Sequence, residues 1–99
     1  MRIISKKALS NFWADHADAE EPLKAWHEEA KNAEWTTPQD IKNHYSSASF
    51  VGDNRVIFNI GGNKYRLVIF VRYEHQLCYI KFIGTHAEYD KINVLTVET

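Results

Sequence analysis

The spacing of apolar residues changes once along the chain, from a helical period in the front half to a strand period in the back half. Arg2-Ile3-Ile4 predicts a short first strand. From about Lys6, Ala8, Leu9, Phe12 and Trp13 fall on one helical stripe that His16 continues, with Ser5 as its expected N-cap. A second helix is expected from about Pro22 to Ala33. Proline suits a first turn, Glu20 and Glu21 suit the positive end of the dipole, and Leu23, Trp26, Ala30 and Ala33 form the buried stripe. Thr37-Pro38-Gln39-Asp40 reads as a third helix start, with Thr37 and Asp40 three apart in a reciprocal cap. That helix should end by Tyr45, because Ser46-Ser47-Ala48-Ser49 has loop composition.

Beyond it, Arg55–Ile60, Asn63–Tyr73 and Leu77–Ile83 are rich in β-branched and aromatic residues and read as a strand meander. Gly61-Gly62 is a two-residue hairpin signal, and Glu74–Gln76 makes the next turn. The expectation is one α+β domain over residues 1–99, with helices packed on one face of a small antiparallel sheet of at most four strands. Its helical front half spans about 5–45, its meander about 55–84, and a short C-terminal helix about 86–92.

A two-residue loop at Gly61-Gly62 pairs Ile60 with Asn63, Phe58 with Tyr65 and Val56 with Leu67 on one side. A four-residue turn then sets Ile69 opposite Phe82 and Val71 opposite Ile80 on that same side, which is apolar and takes the helices. The other side collects Arg55, Asn59, Lys64, Arg66, Arg72 and Lys81, with Ile57, Val68, Phe70 and Tyr79 between them. Thr85 falls across from Arg66, so His86 emerges beside it. Cations interleaved with aromatics suit an RNA strand, since cations neutralise phosphates and aromatics stack on bases. The same pattern also suits the solvated outer face of an antiparallel sheet.

Composition changes this picture little. Twelve Lys and Arg against thirteen Asp and Glu leave a net charge of −1, so no global field draws the chain onto nucleic acid or an anionic membrane. The longest apolar stretch, Leu67–Val71, is far short of the roughly 20 residues of a membrane helix. The start has no signal-peptide apolar region, and the lone Cys78 points to reducing cytoplasm, where it reads as a small buried apolar residue. His16, His27, His44 and His75 lack metal-ligand spacing, so neither a metal nor another cofactor is expected.

Two blocks carry a resemblance. Val56-Ile57-Phe58-Asn59-Ile60-Gly61-Gly62-Asn63-Lys64-Tyr65-Arg66-Leu67 is followed by Cys78-Tyr79-Ile80-Lys81-Phe82-Ile83-Gly84-Thr85-His86-Ala87-Glu88-Tyr89-Asp90. In order and spacing they resemble the HigB family of type II toxins, and Ile3–Leu9 with Trp26 resembles the family start. The resemblance implies a RelE-like fold and a toxin that cleaves messenger RNA in the ribosomal A site. It further implies a HigA-type helix-turn-helix antitoxin, and operator DNA reached only through that antitoxin. It places a basic residue at Arg66 and a second cluster at His86 and Tyr89. A catalytically inactive homologue serving as antitoxin-binding co-repressor is the alternative.

Cleavage without a metal needs a base for the 2′-OH, a cation for the charge developing on phosphorus, and an acid for the 5′-oxygen. His86 suits either proton role because imidazole titrates near pH 6.5. Arg66 suits the phosphoryl oxygens through its planar fork. Tyr89, three residues on, can orient His86, donate to phosphate or stack on a base; it equally suits the edge of a core. Asn63, Lys64, Arg72 and Lys81 are the expected RNA-positioning residues. Thr85 and Glu88 also have the spacing of a helix cap, which gives His86 a purely structural setting.

Overall fold

The computed structural model describes residues 1–99 as five strands and four helices. Strand β1 (Arg2–Ile4) leads into helix α1 (Lys7–Asp15), and a 3-10 turn at Ala17–Ala19 feeds straight into α2 (Glu20–Asn32). Helix α3 (Pro38–His44) precedes strands β2 (Ser49–Val51), β3 (Arg55–Ile60), β4 (Tyr65–Arg72) and β5 (Leu77–Thr85), and α4 (His86–Tyr89) follows. The sheet order is β1-β5-β4-β3-β2. The α+β arrangement is the expected one, with two additions. The sheet has five strands rather than four, and it is mixed, because β1 runs parallel to β5 with Arg2 opposite Leu77.

The additional strand, β2, is only three residues long and sits on the sheet edge, too short to show alternation. Its hairpin to β3 turns at Asp53 and Asn54, both with positive φ. Asp and Asn tolerate that conformation better than other non-glycine residues. Ser5 is not the cap of α1. It adopts φ of 69°, and Lys6 takes the cap position without a side-chain bond. Thr37 and Asp40 do form the reciprocal cap of α3.

The hairpin registers differ from expectation in two informative ways. Gly61 and Gly62 both have positive φ, but the loop contains four residues, so Ile60 pairs with Tyr65 and Phe58 with Leu67. This displacement is even, so Val56, Phe58, Tyr65 and Leu67 still face the helices. Lys64, however, lies in the loop and not on the sheet. Between β4 and β5 the register shifts at Val68/Ile69, leaving one extra residue, Lys81, in β5. Such a bulge reverses the facing of everything beyond it. The turn before β5 is Tyr73–Gln76, so Val71 rather than Tyr73 pairs with Cys78. With the bulge added, Phe82 pairs with Val68 on the side away from the helices, Gly84 rather than Thr85 lies across from Arg66, and Ile83 takes the core position.

The core between helices and sheet centres on Leu9, Leu23, Trp26, Trp35, Phe58 and Leu67. Phe58 meets Trp26, Trp35 and Tyr45 at ring separations of 5.5, 6.4 and 5.1 Å. Cys78 is buried, and desolvation pushes its thiol up to about 12, as befits an inert apolar filler. The second face is covered as well. Arg55 donates to the carbonyls of Val94 (3.1 Å) and Val97 (2.7 Å) and pairs with Glu98 (3.0 Å), which ties the segment after α4 across the sheet. No helix is long and apolar enough to cross a membrane.

Phe58→Ala should lower unfolding free energy by about 3–5 kcal/mol, the range for a fully buried phenylalanine. Phe50→Ala, at an exposed edge position, should stay within about 0.5 kcal/mol. Urea denaturation of the two variants checks the contrast.

Candidate functional site

One end of the molecule gathers the loop between β3 and β4, the C-terminal end of β5 and the first turn of α4. Thr85 ends β5 and caps α4. Its hydroxyl accepts from the Glu88 amide at 3.1 Å, and Glu88 accepts from the Thr85 amide at 2.8 Å. The Thr85 bond, with smaller help from nearby His16 and Lys91, holds the Glu88 carboxyl below the usual range. The His86 amide donates to the Lys64 carbonyl at 3.1 Å, which fastens α4 to the loop. The imidazole of His86 thus has both the capping context and a place beside the loop.

His86 is exposed and its Nδ1 lies 3.2 Å from Asp90 Oδ2. A carboxylate only accepts, so Nδ1 carries the proton and Nε2 is the nitrogen left for other partners. Tyr89 stands one turn later, half-buried. Arg66 is 8% exposed. Its Nη1 donates to the carbonyls of Asn63 (3.1 Å) and Tyr65 (3.2 Å), and Nη2 donates to Asn63 Oδ1 (3.0 Å). These three bonds lock the guanidinium against the loop and leave Nε–H and one Nη2–H uncommitted. Gly84 lies opposite; a Cβ there would come within 2.5 Å of the Phe82 ring and 3.0 Å of Glu88 Oε1. The missing side chain keeps the ground beside Arg66 open to these two neighbours.

Two residues join this end that the sequence reading did not assign to it. His16 stacks on Phe12 at 4.1 Å and meets the edge of Tyr65 at 5.7 Å. Its Nδ1 lies 3.3 Å from the Phe12 carbonyl, which can only accept, so Nε2 is again the free nitrogen. Asp18 accepts from Lys64 at 2.6 Å and from the Tyr65 hydroxyl. Those bonds, Lys64 first, hold the Asp18 carboxyl below its ordinary value, while Asp18 raises the Tyr65 phenol and the Lys64 ammonium. The stripe running on to His16 was visible in the helical period; its meeting with Tyr65 depends on contacts about fifty residues apart in sequence.

The expected RNA-positioning residues are not all together. Asn63 and Lys64 are at the loop, with Lys64 turned toward Asp18 on the helix side. Arg72 is at the far end of β4, six residues or about 20 Å from Arg66, and pairs with Glu74. Lys81, at the bulge, lies 2.7 Å from Glu98 and 5.4 Å from the Tyr79 ring centre. Arg55 is buried beneath the segment it binds. The cationic sheet face of the sequence reading is therefore mostly covered and internally neutralised. No three His, Cys, Asp or Glu side chains converge anywhere in the fold.

The chain is similar to known proteins over most of its length. Residues 19–92 match the model of the HigB_toxin family, described as the RelE-like toxic component of a toxin-antitoxin system. The chain is 32% identical over 92 residues to the mRNA interferase toxin HigB of Escherichia coli K12, covering 91% of this chain and 88% of that protein. The mRNA interferase HigB of Shigella flexneri matches to the same extent. A further mRNA interferase HigB, from Escherichia coli O6:H1, is 24% identical, covering 93% of this chain and 91% of that protein.

The Asp18 contacts carry a pH signature. A carboxyl whose folded pKa is depressed stabilises above its unfolded value, here 3.8, and loses that contribution as pH falls toward the folded value. Asp18→Asn should therefore be less stable than the wild type at neutral pH, with the gap narrowing as pH falls below 3.8. Thermal melts across that range test it.

Proposed function

The chain belongs to the HigB family of RelE-like toxic components of toxin-antitoxin systems, and on that premise we propose that it is an endoribonuclease toxin that cuts messenger RNA on the ribosome. The observation that carries the reading is the bond from the His86 amide to the Lys64 carbonyl, which sets an exposed imidazole beside the loop that locks Arg66. The chemistry is metal-independent acid–base catalysis. One group takes the proton of the 2′-OH, and that oxygen attacks phosphorus. The bond to the 5′-oxygen breaks and a second group protonates it, leaving a 2′,3′-cyclic phosphate and a free 5′-OH.

His86, through Nε2, fills one proton role, and Asp90 behind it orients the ring through Nδ1. His16 is a second imidazole with a free Nε2 at the same end and a candidate for the other role. Arg66 offers its uncommitted donors to the phosphoryl oxygens, pre-positioned by its bonds to Asn63, so little reorganisation is needed as charge develops. Tyr89 donates to phosphate or stacks on a flanking base. Asn63 and Lys64 line the approach. Lys81 and Arg72 contribute only if their present carboxylate partners are displaced.

An antitoxin is the partner implied by the family. A helix-turn-helix antitoxin of the HigA type fits the notion of a complex that represses its own operon, with DNA contacted by the antitoxin. The cytoplasm, where ribosomes and messages meet, is the compartment this activity requires. A weak overall charge suits a toxin whose substrate is positioned by the ribosome.

Brief induction followed by primer extension on messenger RNA should reveal new cleavage ends with the wild type. Arg66→Ala should lower cleavage about 100-fold or more, with Arg66→Lys intermediate because charge remains but the fork is lost. His86→Ala should lower it about 100-fold and flatten the pH–rate profile near neutrality. Circular dichroism verifies folding of each variant. Absence of wild-type cleavage ends, with antitoxin binding intact, would establish the inactive co-repressor instead.

A further inference from the structure

Of the cations that remain without a partner, only Lys91, beside Glu88, is at the candidate catalytic end. Lys24, Arg55, Lys64, Arg72 and Lys81 sit in ion pairs, and Lys42 and Arg66 donate to carbonyls. Of the five basic side chains left, Arg2, Lys6, Lys7 and Lys31 line one continuous groove where α1, α2 and β1 meet. The groove comprises two cavities, of about 920 and 620 Å³, that share Lys6 and His27. Burial first, then the charges of Lys6 and Lys31, push the His27 imidazole below its ordinary range, while nearby Glu28 opposes them. Glu28 and Glu34 are the carboxylates on the groove wall, and Glu28 already accepts from Asn32.

We propose that this groove seats an acidic, amphipathic segment of the antitoxin, its carboxylates meeting Arg2, Lys6, Lys7 and Lys31 and its apolar side covering Trp13. The proposal rests on the toxin reading above. Three observations select this occupant. Four unpaired cations in one groove complement a run of carboxylates. The floor between α1 and α2 carries the half-buried Trp13, so an apolar side chain has a surface to bury. Trp13 is the single Trp, Tyr or Phe of the groove, which provides no run of rings on which successive bases of an RNA could stack. The end of the groove lined by Arg2, Lys6 and Lys31 lies at the Leu77 end of β5, whereas His86 follows the opposite end of that strand, and the Trp13 end stops one turn of α1 short of His16.

The test measures binding of the purified antitoxin encoded beside the toxin, by calorimetry at two salt concentrations. The proteins compared are the wild type, Lys6→Glu/Lys31→Glu and Lys6→Gln/Lys31→Gln. The glutamates should weaken binding at least tenfold, about 1.4 kcal/mol, the glutamines less, and both should reduce the salt dependence. Ribosome-dependent cleavage in the absence of antitoxin should be unchanged in both. On complex formation the His27 imidazole, followed by NMR, should titrate at higher pH, because a carboxylate favours its charged form. Antitoxin affinity equal to wild type in the glutamate variant overturns the proposal. So does lost cleavage with retained antitoxin binding, which would make the groove an RNA surface. No wild-type complex at all overturns it too, while the cleavage assay reports separately on the toxin reading.

Discussion

A single extra residue in β5 governs which side chains stand at the candidate site. With Lys81 bulged out, the strand beyond it reverses its facing, so Ile83 turns into the core and Gly84 comes to lie across from Arg66. Without the bulge, the register that pairs Arg72 with Leu77 would run on to set Phe82 against Leu67 on the helix side and Ile83 opposite Arg66. Everything after it, His86 included, would be displaced by one residue relative to the Lys64 carbonyl. The bulge is anchored from both sides: Lys81 is held by Glu98 and by the rings of Tyr79 and Phe70, and Ile80 by the core. Its cost in ladder hydrogen bonding is offset by the site geometry it creates.

The near-neutral charge of the chain conceals a strong local sorting. Cations that look equivalent in sequence are consumed differently by the fold. Arg55 ties down the segment after α4, Lys64 bridges the loop to Asp18, and Arg66 is bonded to its own loop. Arg2, Lys6, Lys7 and Lys31, with Lys91 after α4, retain their full capacity for an outside partner. Since ion pairs at exposed sites add little stability, the value of the Lys64–Asp18 contact lies in where it holds the hairpin loop. The Arg55 contacts are different, because a guanidinium under cover must be satisfied or its desolvation is uncompensated.

Much of this was legible in the residues. The helical stripes of α1 and α2, the Thr37–Asp40 cap and the Thr85–Glu88 cap follow from local chemistry that a short window contains. The side of the sheet on which Phe58, Leu67 or Val71 falls survived an error in loop length, because that error was even. What escaped were features decided by contacts distant in sequence. The bulge at Lys81 reflects competition between two strand registers. The docking of Val94–Glu98 over Arg55 joins positions about forty residues apart, and the meeting of His16 with Tyr65 requires the helix and sheet to be packed first. The place of His86 beside the loop of Lys64 was legible because β4 begins and β5 ends at the same edge of their hairpin. The dispersal of Arg72 and Lys81 was missed because a shared face says nothing about position along it.

The parallel contact of β1 with β5 has a bearing on when the protein becomes whole. Arg2 can pair with Leu77 only after most of the chain exists, and such distant pairings form late in folding. During synthesis the first strand waits, unpaired, while the hairpins of β3, β4 and β5 emerge and close locally. The groove lined by Arg2, Lys6 and Lys31 therefore waits for β1 to dock, and because His86 lies only nine residues beyond Leu77, the two ends of β5 become available at nearly the same point of synthesis.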